Sequence, residues 1–359
     1  MTDVRLDPVP PLEPPLSTDG LPRRLSGRGP SIADVAALAG VSSQTVSRVA
    51  NGLMNVGAET RDRVLAAMEE IGYRPNSAAR ALKTGRFQSI GVIMFTLSTF
   101  GNMRTLDAIA TAAAQAGYSI TLMPIAVPTQ GEVAGAFNRL TDQAVDGVII
   151  VMEAHILDAA DVALPTGLPV VIVDSDAGNR YTVVDTDQSE GARAATQHLL
   201  DIGHKNVWHI TGPESSYSAG RRTASWRATL QGAGIEPPEV LVGDWSAHSG
   251  YAHGLTLASR PDVTAVFTAN DQMALGLMRA LHDSGRGVPE SVSVVGFDDM
   301  EEADSFWPPL TTVHQDFDAV GRLCMEKLLA KIEKTTAVAG TTIVPTRLVV
   351  RSSTAAPSQ

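Results

Sequence analysis

From residue 89 onward, short apolar runs rich in β-branched residues alternate with amphipathic stretches of helical period, and this alternation restricts the fold more than any other feature of the sequence. The runs are SIGVIMFT (89–96), YSITLMPI (118–125), VDGVIIVM (145–152), PVVIVD (169–174), NVWHITG (206–212), EVLVGDW (239–245), TAVFTAND (264–271) and SVSVVGFDD (291–299). Runs apolar on both faces, each followed by about a helix's length of chain, are strands of buried parallel sheets covered by helices. They are too many for one comfortable open sheet, so the expectation is two doubly wound lobes. No repeated motif long enough for a solenoid recurs.

The 359 residues leave room for more than these lobes, since one domain usually takes roughly 100 to 200. A content of 44% hydrophobic and 19% charged residues is that of a chain with real cores. With Cys324 as the only cysteine, an intrachain disulfide and a cysteine-based zinc cluster are excluded, and a reducing, cytoplasmic setting is expected. The opening MTDVRLDPVPPLEPPLSTDG (1–20) lacks the basic start and apolar run of a secretion signal, and no stretch approaches the roughly 20 apolar residues of a membrane span. The net charge of −11 argues against a body coated in nucleic acid but allows a small basic module. Residues 1–29, with six prolines and then Arg23, Arg24 and Arg28, read as a disordered tail.

Residues 30–74 have a different texture. Ile32, Val35, Ala36 and Ala39 share one helical face, Val46, Val49 and Ala50 another, and a third helix has Val64, Leu65 and Met68 as its inner face and Gly72 as its stop. Ser31 stands three before Asp34 in a capping box, Gly40 permits the turn, and Ser42 caps the second helix. This is a helix-turn-helix, whose second helix reads base edges in the major groove. Gln44 suits adenine and Arg48 guanine, four residues apart on one face with Ser43 beside them. Ser42, Thr45, Ser47, Asn51 and Thr60 are short polar groups suited to phosphates, and Ser31 and Tyr73 complete the DNA-facing set. A plain helical hairpin has the same outline, so the motif alone leaves DNA binding open.

In the lobes, the polar residues sit at the carboxyl ends of strands, where open α/β sheets bind ligands. Asp174, Trp245, Asn270 and Asp298 end their runs or follow them, Gln315 follows LTTVH (310–314), and Arg222 lies beyond the loop after NVWHITG. Carboxylates, amides and a guanidinium pair with vicinal hydroxyls, and an indole covers an apolar sugar face, so a carbohydrate is the expected ligand. The nearby Asp271 and Asp299 read as local caps, Trp245 serves equally as core, and one arginine of the pair Arg221 and Arg222 belongs on a solvated face.

The run SIADVAALAGVSSQTVSRVAN (31–51), followed by ETRDRVLAAMEEIGYRPNSAARALKTGR (59–86), closely resembles the DNA-binding head of the lactose repressor family of transcriptional regulators. The resemblance extends to about residue 353, and VGDWSAHSGY (242–251), TANDQMALGLMRAL (268–281), VVGFDDMEEADSFWPPLTTVHQDF (294–317) and VPTRLVVRSST (344–354) look like its galactoside-responsive members. It implies a small all-α helix-turn-helix head at 30–74, a hinge helix at 75–87, and an α/β effector domain at 88–359 like a periplasmic binding protein. The first lobe would span about 88–186 and 316–343, the second about 187–315 and 344–355. In the hinge, Asn76 and Ala79 would lie against DNA and Leu82 would wedge into a minor-groove step. Asp174, Arg222, Asn270 and Asp298 would hydrogen-bond the sugar, Trp245 and Phe317 would pack on it, and Gln315 would reach it from between the lobes. The implied function is repression of a carbohydrate-utilisation operon, relieved by a sugar effector.

There are departures from the pattern. Ser43 stands where the family's type member carries an aromatic residue, TLSTFGNMR (96–104) does not match, and SSTAAPSQ (352–359) lacks a leucine heptad, which points to a homodimer. Other readings are a sugar-binding protein of the same architecture, a glycosidase using Asp174 and Asp298, and a family member answering to another sugar or a nucleobase. The sequence has no P-loop, G-x-S-x-G, H-E-x-x-H or dinucleotide fingerprint, and His198, His204, His209, His248 and His253 fall on separate elements. The expectation is therefore a non-enzyme without cofactor or metal.

Overall fold

The computed structural model describes residues 29–52, 55–74, 85–125, 129–151, 167–175, 180–335 and 339–358. The chain divides into two compact units, residues 1–79 and 80–359. Residues 1–28 of the tail and the hinge residues Asn76, Ala79 and Leu82 lie outside the described residues.

The first unit holds α1 (Ile32–Ala39), α2 (Ser43–Ala50) and α3 (Ala58–Glu70). The capping box forms as the spacing predicts: Ser31 Oγ accepts from the Asp34 amide, and the Asp34 carboxylate accepts from the Ser31 amide at 2.8 Å. Gly40, at φ 66°, adopts the left-handed conformation that ends α1 at little steric cost, and Ser42 Oγ accepts from the Thr45 amide at 3.1 Å to start α2. Val35, Val46 and Val64 are completely buried at the centre, ringed by Ala36, Ala39, Val49, Ala67 and Met68. Leu65 departs from the expected inner face and is 49% exposed. At 100° per residue the buried face of α3 runs through Val64, Ala67, Met68 and Ile71, and the position after Val64 turns to solvent.

The second unit contains two parallel sheets. The first lobe has β1 (Ser89–Met94), α4 (Phe100–Gln115), β2 (Ser119–Pro124), α5 (Gln130–Asp142), β3 (Gly147–Val151), β4 (Val170–Val173) and β5 (Thr182–Thr186). Its sheet is completed from the far end of the chain by β11 (Gly340–Val344), in the order β11-β5-β4-β3-β1-β2. The inner strands are buried on both faces: Ile149 and Val151 pack with Ile109 of α4 and Val320 and Leu328 of α10 (Phe317–Ile332), whereas Val148 and Ile150 pack with Phe137 and Leu140 of α5.

In the second lobe α6 (Gln188–Asp201), β6 (Trp208–Thr211), α7 (Tyr217–Gly232), β7 (Leu241–Val242), α8 (Ala247–Ala258), β8 (Ala265–Thr268), α9 (Asp271–Asp283) and β9 (Ser293–Val295) build a sheet ordered β7-β6-β8-β9. A two-stranded antiparallel ribbon of β10 (Thr312–Gln315) and β12 (Thr346–Val349) joins it through bridges from Thr311 to Val295 and from His314 to Asp298. Gln315 is thus the last residue of a strand rather than a follower of one. The chain crosses between lobes three times, before α6, before α10 and at Pro345. The first two crossings end in an aspartate that caps the next helix, Asp187 accepting from the Glu190 amide and Asp316 from the Ala319 amide.

The strands β5, β11 and β12 have no counterpart in the apolar runs. TVVDT ends in polar residues, and GTTIV lies at a sheet edge with only Val344 buried, so neither carries the continuous apolar signal of an inner strand. Among the described residues no helix is long and apolar enough to cross a membrane.

The inner face of α3 is open to a direct check. Met68→Ala should destabilise the head by about 2–5 kcal/mol, as buried large-to-small changes do. Leu65→Gln should stay within about 0.5 kcal/mol. Hydrogen exchange at the α1–α3 amides of the full chain reads both; equal losses would place Leu65 back in the core.

Candidate functional site

One cavity of the second unit, about 600 Å³ including its mouth, lies where strand ends of both sheets face the crossovers. Asp174, Arg222, Trp245, Asn270, Asp298, Gln315 and Phe317, grouped from sequence alone, all line it. They come from the ends of β4, β8, β9 and β10, from the loop after β7, and from α7 and α10.

Arg222 lines the cavity and is buried. Its Nε donates to Gln188 Oε1 at 2.8 Å, its Nη1 donates to the Ala269 carbonyl, and its guanidinium lies 3.7 Å from the centre of the Phe297 ring and 5.6 Å from that of Trp245. Gln188 Nε2 donates to Gln315 Oε1 at 3.2 Å, and Gln315 Nε2 donates to Asp298 Oδ1 at 2.6 Å. Asp298 Oδ1 returns to within 3.7 Å of Arg222 Nη1 and closes a buried ring of four polar side chains. Each carries donors or acceptors of the kind that ligand hydroxyls pair with.

Asn270 and Trp245 are built as a pair. Asn270 Oδ1 caps α9 by accepting from the Met273 amide at 2.8 Å, and its Nδ2 donates to the Trp245 carbonyl at 2.9 Å. Asn270, not Asp271, is therefore the cap. Asp271 instead accepts from Thr312 Oγ1 and the Met300 amide, and Asp299 pairs with His314 and Arg351. The Trp245 indole lies so close over Gly212 that a β-carbon there would clash with its ring atoms. Asp174, Trp245 and Asp298 all have positive φ, at 59°, 72° and 111°, although none is glycine. Side chains rarely adopt this region without surrounding structure that over-determines it, and such positions cluster at ligand sites.

The sequence reading missed several wall residues. Asp185 and Gln188 flank the end of β5, the strand whose polar ending concealed it; with that strand recognised, the strand-end rule would have found both. Phe100, Gly101 and Asn102, at the start of α4, supply the wall left unassigned from the resemblance, and Phe100 meets Phe317 edge to face at 6.1 Å. Neither arginine of the adjacent pair lies on a solvated face. Arg222 is in the cavity, and Arg221 reaches Asp185 Oδ2 at 2.6 Å. His209 is a core residue, stacked on Phe267 and bonded to its carbonyl, and burial pushes its imidazole down to about 3.

In the head, Ser43 and Gln44 are exposed on α2 and Arg48 is half-buried one turn on. Ser42 and Thr45 bond each other at 3.0 Å, and Asn51 Nδ2 donates back to the Ser47 carbonyl and hydroxyl, so these groups are already ordered by their own helix. Ser31 is exposed at its cap; Thr60 and Tyr73 are half-buried, with Tyr73 leaning on the helical core.

Burial pushes Asp298 up to about 6, opposed by Arg222 and the Gln315 amide, and pushes Asp185 up to about 6 against the opposing Arg221. A raised carboxyl holds its proton more tightly folded than unfolded, so its stabilising contribution is present below about pH 4 and is lost as pH rises through about 6. Asp298→Asn should therefore remove about 1.4 kcal/mol per pH unit of the downward slope of stability between pH 4.5 and 5.5. Urea unfolding at several pH values measures it; an unchanged slope would mean that Asp298 titrates as an ordinary carboxyl.

Residues 31–76 match the bacterial regulatory proteins of the lacI family, and residues 196–354 match a periplasmic binding protein-like domain. The lactose operon repressor of Escherichia coli strain K12 is 37% identical, over 90% of this chain and 91% of that protein. A crystal structure of the lac repressor dimer bound to operator and the anti-inducer ONPF matches at a TM-score of 0.80 and 36% identity, covering 92% of this chain and all of the other. A complex of the transcriptional regulator CelR with cellobiose matches at 0.68 and 32%, covering 90% of this chain and 99% of the other. The chain thus belongs to the lacI family of bacterial regulatory proteins and is a DNA-binding transcriptional repressor.

Proposed function

We propose that this repressor controls a carbohydrate-utilisation operon and leaves a palindromic operator when a small sugar, a galactoside, fills the cavity of the second unit. The observation that carries this reading is the convergence of Asp174, Arg222, Trp245, Asn270, Asp298, Gln315 and Phe317 on one cavity. Asp174, Arg222, Asp298 and Gln315 offer paired acceptors and donors to vicinal hydroxyls, Asn270 fixes Trp245, and the Trp245 and Phe317 rings cover the apolar face of a sugar ring. The similarity to the lactose operon repressor supports a galactoside among sugars; the similarity to the CelR complex supports a β-glucoside as the second reading.

On the DNA side, Gln44 and Arg48 read base edges, Ser43 lies beside them, and Ser31, Ser42, Thr45, Ser47, Asn51, Thr60 and Tyr73 set register on phosphates. Asn76, Ala79 and Leu82 form the hinge that enters the minor groove. The protein acts as a homodimer whose two-fold axis matches that of the operator. Relief of repression requires only that the sugar bind the DNA-released state more tightly, and DNA then weakens sugar binding by the same factor.

Fluorescence anisotropy on the DNA flanking the protein's own gene tests this with lactose, cellobiose and ribose. Lactose should release the DNA; release by cellobiose alone would replace the galactoside by the β-glucoside, and tight binding unaffected by any sugar would overturn the effector reading. Asp298→Asn and Trp245→Ala should each raise the sugar concentration for half release about 10- to 100-fold, as loss of a charge-assisted hydrogen bond or a stacking platform does, with sugar-free DNA binding unchanged.

A further inference from the structure

We propose that Asp185 is a direct effector ligand whose Oδ1 accepts a hydrogen bond from a sugar hydroxyl, with Arg221 as the positioning residue that holds its carboxylate. The proposal deepens the sugar reading of the cavity and rests on it. Asp185 stands near the carboxyl end of β5, contributes to the cavity wall, and has a side chain only 1% exposed. Its two oxygens are treated differently. Oδ2 accepts from Arg221 Nη1 at 2.6 Å, while Oδ1 is fully buried with no hydrogen-bond partner among the described residues. Buried carboxylate oxygens are nearly always bonded, and an exception in a ligand cavity marks where a ligand's donor belongs.

The surroundings of Arg221 explain the asymmetry. Its guanidinium stands over the Tyr217 ring at 5.6 Å, and the nitrogen that holds Asp185 also reaches the Tyr217 hydroxyl at 3.4 Å. Drawn toward Tyr217, the guanidinium makes a single contact with Asp185 instead of the two-pronged pair that would satisfy both oxygens. The nearby Asp187 carboxylate is engaged in capping α6. One guanidinium already neutralises Asp185, so the remaining acceptor calls for a neutral donor, a hydroxyl rather than an ammonium group. Arg221 belongs to α7 of the second lobe and Asp185 to β5 of the first, so a ligand on Oδ1 touches a carboxylate held from across the cleft.

The test is calorimetric titration of the full-length protein with lactose and cellobiose, then with the monodeoxy and monoamino derivatives of whichever binds more tightly. Asp185→Asn should weaken the parent sugar about 10- to 100-fold. One monodeoxy derivative should bind the wild type as weakly as the variant binds the parent sugar, and should bind both proteins equally. Equal affinity of variant and wild type for the parent sugar would overturn the proposal, as would an equal loss on every derivative, the mark of a merely structural carboxylate. Tighter binding of an amino derivative would replace the hydroxyl by an ammonium donor and overturn that assignment. Failure of the wild type to bind either sugar would remove the sugar reading and this proposal together, whereas binding without sensitivity at Asp185 removes this proposal alone. Should the single variant fold poorly with Arg221 unpaired, Asp185→Asn combined with Arg221→Gln carries the same comparison.

Discussion

Burial of the Arg222 guanidinium is the constraint around which the second unit is arranged. Removing a cation from water costs several kcal/mol unless its charge and N–H groups are matched. Each match comes from a different stretch of chain: the Ala269 carbonyl after β8, Gln188 at the first residue of α6, Asp298 after β9, and Gln315 at the end of β10 as the link between those two side chains. Two of these residues stand beside crossovers, so the same bonds that satisfy the cation fix where the chain passes from one lobe to the other. A network so complete has a second property. A polyol suits its members, because a hydroxyl can donate to the carboxylate and amide oxygens and accept from the amide and guanidinium N–H groups.

The strained backbone around the cavity follows from the same demand. Asp174, Trp245 and Asp298 must aim side chains inward at places where strands end, and each does so with positive φ. Conformations of this kind cost of order 1–3 kcal/mol each and persist only where the surroundings prescribe them. Those surroundings are visible for Trp245, whose carbonyl is held by Asn270 and whose ring rests where Gly212 has no side chain. For Asp298, the backbone amide is held by the Val313 carbonyl and the carboxylate by Gln315.

What could be read in the sequence divides along physical lines. Inner strands such as GVIIV and VVIV announced themselves because burial on both faces demands uninterrupted apolar residues, and the caps at Ser31 and Ser42 were legible because they depend on neighbours three residues away. The positions of Asp174, Asn270 and Asp298 followed from the rule that ligands gather at strand ends, although their roles came from resemblance. What was hidden depends on contacts distant in sequence. TVVDT is a strand because β4 and β11 flank it, and the polar end that disguised it is the part that faces the cavity. The fates of Arg221 and Arg222 were equally invisible, since adjacent residues on one helix are separated by Asp185 on one side and by Gln188, Phe297 and Asp298 on the other.

The crossovers determine what a bound ligand can do. Asp187 and Asp316 cap the helices that leave the first two, which keeps those helix starts rigid and confines any rotation between lobes to the few residues before each cap. The third is tied to the first, because the Asp187 amide donates to the Val344 carbonyl and Thr346 Oγ1 donates to the Asp187 carbonyl. Three strands fastened in this way permit a hinge but oppose sliding. A ligand lodged between the lobes then acts on that hinge only through the difference in its affinity for the two arrangements. Residues that line the cavity from both lobes, Asp174 and Phe317 from one and Arg222 and Asp298 from the other, are those whose separation a rotation between the lobes would alter. Contacts made within a single lobe would add affinity without adding control.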